Sequence, residues 1–207
     1  MRILLALIAV AAAGSPDVTK MVLTPAQVGK GYVVLQRRDG VGVKNTVTLD
    51  LCGRANYPSE KLRTARLQVN YLKQGSFLGL SNEVVAYKKG GAAQALAEAF
   101  SHARTCPHKP IVTGDPTLPP LTFTLTRLTD SKLLKGYLAV KVRVTGTVKG
   151  KKVDETSYAV YQRIGDVLSG TYSFGPNTAA QERFALRAAE ESAKNLRRGK
   201  SSSGPTA

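Results

Sequence analysis

Two cysteines and two histidines are the residues of this chain best suited to chemistry. His102, Cys106 and His108 fall within one short segment, and Cys52 lies well before it. Together the four side chains suit a tetrahedral zinc site, since zinc prefers imidazole and thiolate ligands. The two thiols alone suit a single disulfide, Cys52–Cys106. The spacing matches no common zinc pattern and Pro107 interrupts it, so we predict the disulfide and neither a metal site nor a cofactor.

The start of the chain bears on this choice because it indicates the redox compartment. Met1 and Arg2 form a short positive end, residues 3–13 are apolar, and Ala11, Ala12 and Ala13 precede Gly14. This pattern is typical of a secretory signal peptide, here residues 1–13, and an uncleaved N-terminal anchor is the alternative. The apolar run is shorter than the ~20 residues that span a bilayer as a helix. We therefore expect a secreted, extracytoplasmic protein whose thiols oxidise.

Basic residues give the chain its second chemical feature. With 30 Lys and Arg against 14 Asp and Glu, the formal net charge is +16, which raises encounter rates with polyanions. The best candidate anion-binding surface is the outer face and tip of a predicted β-hairpin, formed by Lys141, Arg143, Lys149, Lys151 and Lys152. The alternative is a solvated strand edge on which lysines prevent aggregation.

A second basic pattern, Lys88 and Lys89, stands directly before Gly90 and Gly91 and a predicted helix, whose free amide groups suit an anion. The partners that we expect are an anionic envelope component or an unknown small ligand, with possible peripheral contact to a membrane surface. Specific nucleic-acid recognition is not expected, because no recognised motif is present and aromatic residues make up only 6% of the chain.

Catalytic motifs are not found in the sequence. It has no G-x-S-x-G elbow, no H-E-x-x-H and no P-loop. The adjacent carboxylates Asp154 and Glu155, like Glu190 and Glu191, point in different directions on a strand or helix, so we interpret them as surface acids. We therefore predict no catalytic residues and no enzyme; a site assembled from dispersed residues is the alternative.

Period-two alternation dominates the chain and predicts about seven half-buried strands, which favours an antiparallel sheet. Eight segments are the candidates for these strands: residues 32–36, 46–51, 65–71, 83–87, 121–125, 137–148, 156–163 and 167–174. Apolar stripes at helical spacing predict helices over 92–105 and from 178 to about 198. The helix-borne His102 points away from its stripe and is expected in solvent. We predict a single α+β domain over residues 14–198, with both main helices on one face of the sheet, and a disordered tail over 199–207.

The order of these parts resembles a known family. A short opening from Leu23 to Tyr32 precedes a cysteine strand, and a strand from Asn82 to Tyr87 runs into a helix that ends at Cys106. This arrangement resembles the secreted or lipoprotein sensor-type domains of actinobacteria and is similar to the extracellular domain of a mycobacterial receptor-type serine/threonine kinase. The resemblance implies an α+β domain with a cleft for an unknown ligand, and it transfers no site residues.

The sequence thus predicts a secreted, non-enzymatic, sensor-like ligand-binding module of the cell envelope, monomeric and drawn to anionic partners by its charge. A secreted hydrolase acting on envelope polymers and a purely structural wall-associated protein are the alternatives.

Overall fold

A computed structural model of the chain describes residues 16–41, 51–52, 57–107, 109–112 and 117–201. Seven strands in these ranges form one sheet in which every neighbouring pair is antiparallel, in the order β1-β2-β3-β7-β6-β5-β4. The strands are β1 Tyr32–Asp39, β2 Arg63–Lys73, β3 Gly79–Tyr87, β4 Thr122–Arg127, β5 Leu138–Val148, β6 Lys151–Ile164 and β7 Val167–Phe174. The helices are α1 Pro25–Val28, α2 Gly91–Thr105 and α3 Ala179–Ser201, with 3-10 turns at Val18–Lys20 and Pro58–Leu62. The predicted α+β fold of about seven antiparallel strands is confirmed.

The β5–β6 hairpin extends beyond the rest of the sheet. Its turn consists of Lys149 and Gly150, with φ angles of 49° and 76°, as a type I′ turn requires. β7 ends at Phe174, which pairs with Ser157 of β6. The β6 residues before Ser157 therefore pair with β5 alone, and the turn projects from the end of the sheet.

The two long helices pack on opposite faces of the sheet, so the prediction that they share one face is wrong. Successive strand residues point to opposite faces. In β6, Tyr161 packs in one core with α2, whereas Val160 packs in another with α3. Gln162 donates a hydrogen bond to the Ala189 carbonyl of α3 at 2.8 Å. The central strands are consequently buried on both sides.

Hydrogen-bonded polar side chains fill much of the α3 face. Asn82 donates from Nδ2 to the Ser169 hydroxyl at 3.0 Å, and that hydroxyl lies 2.7 Å from the hydroxyl of Ser192. Asn195 on α3 donates to the Val22 carbonyl at 3.0 Å. Because buried polar groups need partners, these bonds fix one register of the helix on the sheet.

Several sequence predictions concern residues outside the described ranges. These are the signal peptide over 1–13, most of the strand over 46–51, and residues 202–207 of the tail. Leu51 and Cys52 are described and do not belong to a strand. Helix α3 continues past its expected end to Ser201. None of the helices formed by the described residues is long and apolar enough to cross a membrane.

Candidate functional site

The predicted disulfide is present: the sulfurs of Cys52 and Cys106 are bonded, and their Cα atoms lie 5.8 Å apart. Both thiols are used in this bond, so the alternative four-ligand zinc site is not formed. His102 is half-buried instead of solvated, and its ring centroid lies 4.5 Å from that of Tyr57. His108 lies outside the described residues. The bond joins the end of α2 to the short segment that contains Leu51.

The five predicted anion-binding residues lie on the β5–β6 hairpin, but they do not form one cluster. Lys149 is in the turn, while Lys151 and Lys152 are exposed neighbours on β6 and point to opposite faces. Lys141 and Arg143 share the α3 face of β5, and Lys141 is half-buried.

Arg143 is engaged by a carboxylate. Its Nε and Nη2 atoms donate to the two carboxylate oxygens of Asp154 at 2.7 and 2.5 Å. These hydrogen bonds lower the pKa of Asp154 and raise the pKa of Arg143. Arg143 is thus exposed but paired, and the lysines near the tip, Lys149, Lys151 and Lys152, are exposed as well.

The other polar patterns of the sequence are also engaged within the protein. Asp166 Oδ1 accepts a hydrogen bond from the Gly90 amide at 2.7 Å, so a carboxylate of the chain occupies the start of α2. Glu190 and Glu191 form ion pairs with Lys132 and Lys194 at 3.2 and 2.6 Å. No group of three or more metal-ligating side chains occurs among the described residues.

A cleft lies on the face of the sheet that carries α2. The helix packs on one half of that face, over Val85, Tyr87 and Tyr161, and the cleft occupies the other half. Its volume of about 520 Å³ is in the range of small-molecule sites. The described side chains and backbone that line it are Leu35, Arg38, Leu51, Gln68, Asn70, Tyr71, Leu72, Gly79, Leu80, Ser81, Phe123, Val142, Val144, Ser157, Ala159, Tyr172 and Phe174.

The cleft has an apolar and a polar side. Phe123 of β4, Val142 and Val144 of β5 and Tyr172 of β7 form the apolar side. The polar side comes from β1 to β3 and carries Arg38, whose guanidinium is the one formal charge among the described lining residues. An amphiphilic molecule with an apolar body and an anionic head matches this division.

A buried polar network supports the polar side. Arg66 of β2 forms an ion pair with Glu83 of β3, and both side chains are almost fully buried. Arg66 Nη2 also donates to Gln68 Oε1 at 2.7 Å, and Gln68 Nε2 donates to the Ser81 hydroxyl at 2.9 Å. Gln68 and Ser81 line the cleft, so their orientation is held from behind by an ion pair that is costly to break.

Gly170 makes room for the aromatic floor of the cleft. A Cβ atom on Gly170 would lie 2.7 Å from the hydroxyl oxygen of Tyr172, on the same strand. The Tyr172 ring meets the ring of Tyr161 edge-on, with centroids 5.7 Å apart. Burial is the main cause that raises the pKa of the Tyr172 hydroxyl well above its ordinary value. The hydroxyl is thus neutral, packed inward, while the ring borders the cleft.

The resemblance implied a cleft, but no residue pattern in the sequence indicated which residues line it. Its walls come from strands far apart in the chain, from Leu35 in β1 to Phe174 in β7. A partial indication was available: the strands present more inward-facing apolar residues than the short stripe of α2 covers.

The fold is α+β, with one antiparallel sheet that carries α2 over half of one face and α3 over the other. It matches the crystal structure of the extracellular domain of PknH from Mycobacterium tuberculosis with 12% sequence identity and a TM-score of 0.58. The match covers 85% of this chain and 94% of that chain. No protein-family model matches the chain, and no curated protein matches it significantly. The predicted resemblance is confirmed at the level of the fold.

Proposed function

We propose that the protein is an extracytoplasmic, non-enzymatic, sensor-like module that binds an amphiphilic ligand in the cleft on the α2 face. The observation that carries the proposal is the division of a cleft of about 520 Å³ into an apolar side and a polar side. Apolar walls supply most of the binding free energy in such sites, and a few polar groups fix the orientation of the ligand. Arg38 is placed to pair with an anionic head group.

Binding is favoured over catalysis by the chemistry of the lining. The described lining side chains are aliphatic, aromatic, hydroxyl, amide or guanidinium groups. Hydroxyl groups need a general base to act as nucleophiles, and a guanidinium is a poor base. Turnover of an envelope polymer by the purified protein would overturn this part of the proposal.

Extracytoplasmic location and association with anionic envelope components complete the proposal. The disulfide and the predicted signal peptide support the first, and the net charge of +16 supports the second. Cell fractionation with thiol labelling checks the compartment. Unprocessed protein in the cytosol with both thiols reduced would contradict it.

A fluorescent long-chain fatty acid and its uncharged methyl ester test the cleft. Val144→Trp places a large ring in the cleft, so we expect both probes to bind about tenfold or more weakly. Thr145→Trp, on the neighbouring residue of the opposite face, is the matched control and should leave binding unchanged.

Arg38→Ala tests the polar side of the cleft. Loss of one charge-assisted contact at an exposed site should weaken binding of the acid roughly 3- to 10-fold and leave the ester unaffected. Arg37→Ala removes an equal charge from the adjacent residue, whose side chain points to the other face. If Val144→Trp bound both probes as the unmodified protein does, the cleft would not be the binding site.

A further inference from the structure

An aromatic side chain stands fully exposed at the end of the sheet where the hairpin projects. Phe77, in the turn between β2 and β3, is 100% exposed, and Phe174 at the end of β7 is 52% exposed. Single exposed apolar residues are ordinary on protein surfaces. These two are not isolated, because together with Leu78 and Pro176 they border one depression.

Charged residues of both signs lie near this aromatic pair. Lys73 ends β2, and its Cγ lies 4.0 Å from the Cβ position of Gly31, next to Lys30. The stem of the β5–β6 hairpin borders the same depression through Arg143, Asp154 and Glu155. Asp154 lies three positions after Lys151, a distance of roughly 10 Å along a strand. The tip lysines thus lie about one Debye length from the depression at physiological salt.

We propose that this end of the sheet docks on a negatively charged lipid bilayer. The docking surface comprises the exposed rings of Phe77 and Phe174 and the lysines Lys73, Lys149, Lys151 and Lys152. Phe77 enters the boundary between head groups and acyl chains, and the lysines contact lipid phosphates. A polar polyanion, such as an acidic polysaccharide or a nucleic acid, offers no apolar layer for a fully exposed ring.

This inference rests on the proposed extracytoplasmic location, which determines the membrane surface that the protein meets. It also places the cleft next to that membrane. Phe174 borders both the depression and the cleft, so the docking surface adjoins the cleft mouth. An amphiphile leaving the bilayer would enter the apolar side of the cleft directly. Docking itself does not require the cleft to be filled.

Sedimentation with phosphatidylcholine vesicles, made with and without phosphatidylglycerol, tests the surface on the full chain. Residues 3–13 are the same in every variant, so each variant is compared with the unmodified chain. We expect binding to anionic vesicles at low salt and its loss between about 0.05 and 0.5 M salt. Phe77→Ser should weaken binding about tenfold. Combined Lys149→Glu, Lys151→Glu and Lys152→Glu should weaken it by at least about tenfold.

A matched triple variant controls for net charge. Lys61→Glu, Lys88→Glu and Lys89→Glu change the charge equally at the opposite end of the sheet, where all three lysines are exposed. Equal losses in the two triple variants would refute a specific surface, as would normal binding by Phe77→Ser. The proposal would also be overturned if the unmodified chain did not bind the vesicles. This holds even if the chain binds a wall polyanion instead.

Cleft variants separate this proposal from the function proposed above. Val144→Trp should lose the fatty-acid probe but still sediment with anionic vesicles, whereas Phe77→Ser should keep the probe and lose the vesicles. Phe77 is fully exposed, so its replacement should leave the midpoint of unfolding unchanged.

Discussion

Gly170→Ala is the sharpest single test of how the cleft floor is built. The added Cβ would lie 2.7 Å from the Tyr172 hydroxyl oxygen and 3.1 Å from two carbons of its ring. The ring is backed by Tyr161, so it must tilt outward into the cleft. Overpacking of this kind costs about 1–3 kcal/mol, and the gain from replacing glycine in a strand offsets about 0.5–1 kcal/mol of it. We expect a net destabilisation of about 1–2 kcal/mol.

Gly79→Ala provides the comparison, because Gly79 lies on the same face and also borders the cleft. A Cβ there would meet its nearest neighbour at 3.6 Å, an ordinary van der Waals contact. Urea unfolding should show a loss of stability for Gly170→Ala alone, and fatty-acid binding should weaken in the same variant. Adding Tyr172→Phe removes the closest contact and should recover part of the loss. Equal stability of the two alanine variants would refute the assignment of Gly170 as space for Tyr172.

Three further predictions concern the bond, the buried phenols and the charged hairpin. Replacing both cysteines by serine should cost about 4 kcal/mol in urea unfolding, given the sequence separation of 54 between them; an unchanged midpoint would contradict this. Burial raises the pKa of Tyr71 and of Tyr87 to about 12. The folded state therefore holds these protons more tightly than the unfolded chain does. The free energy of unfolding should be retained below pH ~10 and should fall by about 2–4 kcal/mol towards pH 12, and the fall should be smaller in Tyr71→Phe. Asp154→Asn removes the carboxylate that engages Arg143 and should strengthen binding to anionic vesicles about fivefold, and weaker binding would count against the docking surface.

Local pattern was sufficient to predict most of the secondary structure. The alternation of Leu67, Val69 and Tyr71 places these side chains on one face of β2, as the structure shows. The apolar stripe of α2, including Ala92 and Leu96, is buried as expected. Both features depend on near neighbours in the chain, and their periods are set by backbone geometry.

The face of the sheet on which each helix packs could not be predicted from local pattern. Polar residues at alternate strand positions usually indicate a face that is exposed to solvent. On this assumption we predicted that both helices cover the other, apolar face. Here Ser169, Thr171 and Ser173 of β7 are buried, and Ser169 contacts Ser192 of α3. Arg66 at an alternate position of β2 is likewise buried, against Glu83. Which polar side chains find partners depends on residues distant in the sequence, and a strand pattern does not contain that information.

The two faces of the sheet differ in a way that bears on ligand binding. On the α3 side, hydrogen bonds from Gln162 and Asn195 tie the helix to its neighbours in one register. On the α2 side the helix is short, and the disulfide attaches its end to the segment that brings Leu51 to the cleft wall. Through this bond, the end of α2 is linked covalently to a residue next to the cleft wall. The ligand and the disulfide should therefore act on the same segment, and affinity for the fatty-acid probe should depend on the bond even where the fold survives its loss.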